Sequence, residues 1–283
     1  MMSVIKSTKV VFCGLCLLAS LVAGAHPVLK RKIHDDPRGT VTARVLAAFT
    51  PHARAAGLWY LAALEGRRVD TQEFTAFSQQ FESATFVSAT YQYEIDGTSY
   101  RRVYHARSGW NEPRLGIPGL RAVRDYSAYF EASTDVIAWD RTPPRHSTVT
   151  ARPLDDGRAA NARDRDAELK IARQIERDIR NGRVRAGGYL AVYSSQEPCA
   201  SCEPALQALS DARGIRVHVA FLGRQSPAYR TFDRLRHQHM TTIEVSVNGG
   251  QIHVLNHNAA VMDQVPAPVD CMEPENHEDL NEV

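Results

Sequence analysis

The feature that most constrains the fold is an alternation of helical and strand patterns from about Asp164 to Asn256. An amphipathic helix, "RDRDAELKIARQIERDIRNG", comes first, with apolar residues at steps of three and four and Gly182 as a stop signal. The patterns that follow are strand "GYLAVYSS", helix "CASCEPALQALSDARG", strand "IRVHVAFL", helix "SPAYRTFDRLRHQH" and the strand–turn–strand run "TTIEVSV-NGG-QIHVLN". Strands that alternate with helices of this length predict a parallel sheet with crossover helices.

Upstream of this region, a hairpin signal adds antiparallel strands to the expected sheet. Asp96-Gly97 lies between two runs rich in Tyr, Val and Ile, and Asp-Gly between such runs is typical of a two-residue hairpin turn. Residues 110–160 are loop-rich and contain one further strand-like run, "DVIAWD", so we expect them to form an insertion. The sequence therefore predicts an α/β fold with a mixed sheet.

Residues 26–84 are predicted to form a helical N-terminal region. The stretch 41–64 is rich in Ala and Leu, and 71–84 has aromatic residues at helical spacing. The phenylalanines of this second helix are expected in the core rather than as cofactor contacts: Phe74, Phe77 and Phe81.

The first 25 residues have the layout of a secretory signal peptide. Lys6 and Lys9 precede an apolar run of 13 residues that ends at Val22, and Ala23-Gly24-Ala25 supplies a small-x-small cleavage site. The run is short of the ~20 residues that span a bilayer. We therefore expect a secreted or periplasmic protein, cleaved after Ala25, with no membrane association afterwards.

Charge is unevenly distributed along the mature chain. Residues 263–283 carry seven acids and no Lys or Arg, and such a segment is expected to be a disordered acidic tail. Without residues 1–25 the chain has 32 basic and 32 acidic residues, so 26–262 carries about +7. A basic body can bind a phosphate backbone, although a solvated surface without such a partner explains the same charge.

Two cysteines stand three positions apart in "QEPCASCEP", behind Pro198. Cys199 and Cys202 are expected to open a helix directly after a strand, where free N–H groups and the helix dipole favour thiolates. With Cys271 in the tail, three cysteines remain after cleavage, and an odd number does not indicate a disulfide framework. The close pair can chelate one cation, but two sulfurs do not complete a zinc shell.

Asp166 and Glu168 begin the preceding helix. Crossover geometry brings successive helix starts to the carboxyl ends of the strands, where ligand sites form. We therefore expect Asp166 to bind the same cation as the cysteines and Glu168 to transfer protons beside it. The alternatives are an N-cap for Asp166 and a solvated acid near the helix dipole for Glu168.

The motif pair "DAE" at 166–168 and "PCASC" at 198–202 resembles the H-x-E … P-C-x-x-C signature of zinc deaminases, with Asp in place of the usual His. With the helix and strands around it, this part of the chain resembles bacterial toxin-type members of the cytidine deaminase-like superfamily. The resemblance covers roughly 85–262, with an insertion at about 110–160. It implies a three-layer α/β/α mixed sheet with 26–84 as an N-terminal helical extension.

The resemblance also implies an activity. Zn²⁺ would be bound by Asp166, Cys199 and Cys202, and Glu168 would pass protons to the ring nitrogen and the departing amine during hydrolytic deamination. The substrate implied is a nucleobase, cytosine ahead of adenine, in nucleic acid or a nucleotide. Together with export it suggests a secreted toxin or effector, whose partners would include an immunity protein or delivery machinery.

Two other functions remain open at this point. A CxxC at a helix start is also typical of thiol–disulfide redox proteins, and a secreted binding module could hold a closed, structural metal. Three further histidines and one cysteine are weaker candidates. His237 and His239 are expected on a solvated helix face and His253 in a strand, while Cys271 would be a free thiol or an intermolecular bridge.

Overall fold

The computed structural model describes residues 26–64, 68, 70–110, 126–139, 143, 145–151 and 163–248. Within these ranges, six strands form one sheet in the order β1-β6-β5-β2-β3-β4. The strands are β1 (Leu29–Ile33), β2 (Phe86–Ile95), β3 (Thr98–Arg107), β4 (Val136–Ile137), β5 (Gly188–Ser194) and β6 (Ile215–Leu222). β1, β6 and β5 run parallel, β2 is antiparallel to β5 and to β3, and β4 is parallel to β3. The predicted mixed sheet is confirmed.

Among the described residues, five α-helices cover the two faces of the sheet. They are α1 (Thr40–Leu64), α2 (Thr71–Glu82), α3 (Ala167–Arg180), α4 (Cys202–Arg213) and α5 (Pro227–Asn248). One apolar core joins α1, α2 and α5 to one face, and a second joins α3 and α4 to the other. This arrangement is the predicted three-layer α/β/α fold, and the three phenylalanines of α2 lie in the first core as expected: Phe74, Phe77 and Phe81.

The hairpin predicted at Asp96-Gly97 joins β2 to β3. Both residues have positive φ, 50° and 78°, as the tight two-residue turns of twisted hairpins require. Ten residue pairs then align β2 with β3, from Ile95–Thr98 beside the turn to Phe86–Arg107 at the far end. The start of β2 and the end of β3 therefore meet the carboxyl end of β5 at one edge of the sheet.

The strand-like run "DVIAWD" forms β4 at Val136–Ile137. Before it, a turn of 3-10 helix at Tyr126–Tyr129 packs its first ring against His52 of α1. The remainder of the expected insertion falls mostly outside the described residues.

The region predicted as a helical N-terminal region, 26–84, also supplies β1. This edge strand pairs in parallel with β6, and residues just before it contact α4, where Val28 N–H donates to Gln207. The sequence does not predict this strand, because four of its five residues, Leu29 to Lys32, are exposed. It therefore lacks the apolar alternation by which a half-buried strand is recognised.

The strand predicted for "TTIEVSV" is wrong, because these residues continue α5 to Asn248. Phe232, Met240 and Ile243 are buried and pack in the core shared with α1. β-branched residues favour strands only weakly, and packing decides. The Thr241 hydroxyl instead bonds back to the carbonyl of His237 at 3.1 Å. The second predicted strand of that pair, "QIHVLN", lies outside the described residues.

Several other predictions also lie outside the described residues: the signal peptide 1–25, the tail 263–283, His253 and Cys271. Among the helices that are described, none combines the length and apolar character needed to cross a bilayer.

Candidate active site

The site lies at the carboxyl end of β5, between the first residues of α3 and of α4. β5 ends at Ser194, and a loop then leads through Cys199 to Cys202, the first residue of α4. The Cys202 N–H donates to the Cys199 carbonyl at 2.9 Å, and its distance to the Cys199 sulfur is 3.2 Å. Cys199 is thus held in the turn before the helix rather than in its first turn, and this turn brings both sulfurs to one side.

Asp166 occupies the N-cap position of α3, yet its side chain does not cap the helix. Its Oδ2 lies 3.1 Å from the Cys199 sulfur and 3.4 Å from the Cys202 sulfur. The backbone of Asp166 is therefore at the N-cap position, as the capping alternative predicts, but its carboxylate is directed to the cysteines and does not cap the helix. Arg163 Nη1 lies 3.8 Å from the other oxygen of this carboxylate.

These three side chains form a group with the geometry of a cation site. The donor atoms of Asp166, Cys199 and Cys202 all lie within 4.8 Å of one another, and both cysteines are free thiols with sulfurs 2.7 Å apart. Two sulfurs and one carboxylate oxygen suit zinc. Three protein ligands with a fourth position left for water or substrate are typical of catalytic rather than structural zinc.

Glu168 is the second residue of α3, two positions after Asp166, and is buried, with 3% of its surface exposed. Its Oε2 is 3.6 Å from the Cys202 sulfur, and its Oε1 accepts a 3.0 Å hydrogen bond from the Ser194 hydroxyl. Burial raises the pKa of Glu168 to about 7, and the nearby charge of Asp166 adds to this, against the lowering effect of its hydrogen bonds. A carboxyl group with a pKa near neutrality can both take up and release a proton.

The pKa of the Cys202 thiol is raised above its ordinary value. The hydrogen bond with Cys199 is the largest cause, followed by burial and by the charges of Glu168 and Asp166. The negative charges of Glu168 and Asp166 beside the sulfur are surroundings that attract a cation.

The structure thus brings together all four residues singled out from the sequence. Their roles in metal binding and proton transfer stay predictions. Of the weaker candidates, His237 is exposed as expected, and its Nδ1 lies 3.2 Å from Glu82. The expectation for His239 is wrong: its ring packs 5.5 Å from that of Phe49, and burial lowers its pKa to about 4. This histidine belongs to the core side of α5.

Sequence reasoning missed Ser194. It is the last residue of β5 and is fully buried, and a serine between "VY" and "SQEP" carries no motif. Its contact with Glu168 spans 26 residues of sequence and exists because β5 and the start of α3 meet at the same edge of the sheet.

Comparison with known families agrees with this arrangement. The model of the Toxin-deaminase family, described as the BURPS668_1122 family of deaminases, matches residues 73–222. The match covers more than half of the 283 residues and includes β2 to β6 and the whole candidate site. No curated protein and no solved structure gives a significant match to the chain.

Proposed function

Because this chain belongs to the toxin-deaminase family, an enzyme family that acts on carbon–nitrogen bonds, we propose that it is a zinc-dependent hydrolytic deaminase of a nucleobase. The observation that carries the proposal is the approach of one carboxylate to two thiols, with a second, buried carboxylate beside them. Asp166, Cys199 and Cys202 would hold the ion. A zinc ion held there would act as a Lewis acid and lower the pKa of a water molecule.

Glu168 is the proposed proton carrier. Its carboxylate takes one proton from the attacking water and delivers it to the ring nitrogen. It then takes the second proton from the newly added hydroxyl and delivers it to the amine, which leaves as ammonia while the carbonyl forms. The Ser194 hydroxyl fixes one oxygen of this carboxylate, so that the other faces the cysteines. Burial excludes bulk water from the proton path.

The proposed reacting base is cytosine, in preference to adenine. Amine-to-carbonyl exchange leaves a base of distinct mass, so liquid chromatography with mass detection of reacted nucleosides, DNA and RNA identifies the product. Glu168→Gln is expected to abolish turnover while keeping one zinc per chain. Cys202→Ser is expected to lose both zinc and turnover. A wild-type protein that converts no base, or that works equally well after complete zinc removal, contradicts the proposal.

We further propose that the protein acts as an exported effector. The support is the signal-peptide pattern of residues 1–25 together with the toxin family. A cell that makes such an enzyme would need an immunity protein, and delivery machinery would be a second partner. Fusing residues 1–25 to a phosphatase that is active only outside the cytoplasm tests the export step, and a fusion that stays in the cytoplasm contradicts it.

A further inference from the structure

An exposed tryptophan lies beside the candidate active site. Trp110 exposes 47% of its surface, and among the described residues the other large apolar side chains with such exposure are Leu29 and Tyr100. Leu29 is on the edge strand β1, and Tyr100 lies near the hairpin end of β3. Single exposed rings are common on protein surfaces, so exposure alone does not indicate a function for Trp110. Its place beside the candidate active site does.

Backbone and side-chain hydrogen bonds fix the segment of Trp110 against the first turn of α3. The Gly109 N–H donates to the carbonyl of Arg165 at 2.9 Å. The buried Lys170 ammonium donates to the carbonyls of Arg107 and Gly109, at 2.9 and 2.6 Å. Arg165 immediately precedes Asp166, so these contacts hold Trp110 at the rim of the proposed zinc site.

Arg165 covers one face of the Trp110 ring. The central carbon of its guanidinium lies 3.3 Å from the ring centroid, which is the stacked arrangement of a close cation–π pair. The exposed part of the indole is therefore the part that Arg165 does not cover. Arg163, which lies beside Asp166, adds a second positive charge at this rim.

An indole backed by cationic side chains is suited to a nucleobase and its phosphates. Proteins that bind single-stranded nucleic acid use aromatic rings as stacking platforms and basic residues along the backbone. The reacting base must approach the buried Glu168, whereas Trp110 lies at the surface. With the reacting base beside Glu168 and a neighbouring base on Trp110, the ligand would carry at least two bases.

We propose that Trp110, supported by Arg165, stacks against a base that flanks the reacting base, and that the substrate is a single-stranded polynucleotide rather than a free nucleoside. This inference rests on the proposed function for the identity of the reacting base. A single strand is the expected form, because the flanking bases of a duplex are stacked on their neighbours and must first be unstacked, at an energetic cost, to contact a protein ring.

Binding without turnover tests the proposal. The zinc-loaded Glu168→Gln protein is titrated with fluorescently labelled single-stranded DNA and RNA of mixed sequence, and anisotropy gives the Kd of each. Adding Trp110→Ala is expected to raise Kd by about 5- to 150-fold, the range for loss of one base–ring stack. Trp110→Phe is expected to restore most of the affinity. The two oligonucleotides distinguish DNA from RNA.

Tyr100→Ala in the same Glu168→Gln background is the matched control. Tyr100 is an exposed ring on the same strand, and its loss is expected to leave Kd unchanged. Zinc content of every variant is measured alongside, and equal content shows that the site has folded.

Binding and turnover together separate the two proposals. Affinity that depends on Trp110 without any deamination by the wild type supports the stacking role and removes the deaminase proposal. Deamination of strands at equal rates by the wild type and Trp110→Ala removes the stacking role and leaves the deaminase. Absence of strand binding, or free nucleosides that bind as tightly as strands, overturns the inference.

Discussion

The Ser194 hydroxyl donates a 3.0 Å hydrogen bond to Glu168, and both side chains are buried. The next residue, Ser195, is directed elsewhere: its hydroxyl accepts the N–H of Phe86 at 2.9 Å, tying β5 to the start of β2. Two adjacent buried serines therefore have different partners, one in the candidate active site and one in the sheet.

Ser194→Ala is expected to lower kcat of deamination by about tenfold. Without the hydroxyl, one oxygen of Glu168 loses its donor and the carboxylate is less well oriented, an effect of the order of one hydrogen bond to a charged group. Steady-state kinetics and zinc analysis provide the measurement, with zinc content unchanged.

Ser195→Ala is the control. It is expected to reduce the free energy of unfolding by about 1–2 kcal/mol, because a buried N–H loses an acceptor. Equal kinetics for Ser194→Ala and the wild type would contradict the orienting role.

Asp166→Ala is expected to reduce zinc affinity strongly while changing the stability of the zinc-free protein by less than about 0.5 kcal/mol. The side chain makes no capping hydrogen bond, so α3 does not depend on it.

Asp70→Ala supplies the contrast, since Asp70 caps α2 by accepting from Gln72 and Glu73 N–H at 2.8 and 2.9 Å. That variant is expected to lose about 1 kcal/mol of stability and to keep its zinc. Competition with a chromophoric chelator and denaturant unfolding give the two quantities. A loss of stability in Asp166→Ala that matches Asp70→Ala would show that Asp166 is a cap.

Acid should destabilise the fold through His239. Burial holds its pKa at about 4, against 6.5 for an ordinary histidine. Above pH 6.5 the side chain is neutral in both states; below it the unfolded chain binds a proton that the folded chain does not, so stability falls as pH falls towards 4. Between pH 6.5 and about pH 5 the loss is roughly 2 kcal/mol.

The measurement is the difference in unfolding free energy between wild type and His239→Gln over that pH window, which cancels other titrating groups. His237→Gln is the control for the substitution itself, because it replaces an exposed histidine of the same helix. An identical slope in wild type and His239→Gln would contradict the prediction.

Gly188→Ala is expected to destabilise the protein by several kcal/mol. Gly188 has φ +104°, and a Cβ there would lie 2.3 Å from the carbonyl oxygen of Gln92, a backbone atom of the neighbouring strand that cannot move aside cheaply. Gly214, at the end of α4, has φ +62° but open space around it. Gly214→Ala should therefore cost only about 1–2 kcal/mol of backbone strain. Thermal unfolding of the two variants gives the comparison, and equal losses would show that the close contact is unimportant.

Sequence patterns predicted most of the elements that build the site. The steps of three and four in α3, the apolar β5 and β6, and the Asp-Gly turn are local signals, and the structure has all of them. The "DAE" and "PCASC" motifs pointed to one site because parallel crossover connections bring successive helix starts to the same edge. That reasoning needs topology only, which helix–strand alternation supplies.

The errors occurred where long-range packing outweighed local preference. The β-branched residues after Met240 suggest a strand, but burial of Ile243 against α1 keeps them helical: a Cβ added to Gly57 would be 2.8 Å from the Ile243 side chain. β1 is the opposite case. Its exposed residues give no pattern, and only pairing with β6 makes it a strand.

The sequence by itself determined the fold class and named the four residues of the candidate site, because periodicity and motif spacing are properties of neighbouring residues. Only the tertiary structure decided three contacts. The Asp166 carboxylate contacts the cysteines instead of capping its helix, the Ser194 hydroxyl donates to Glu168, and the Trp110 ring stacks on Arg165. Each of these contacts joins residues 26 to 55 positions apart. Their geometry depends on how the sheet aligns its strand ends, and no local segment encodes that alignment.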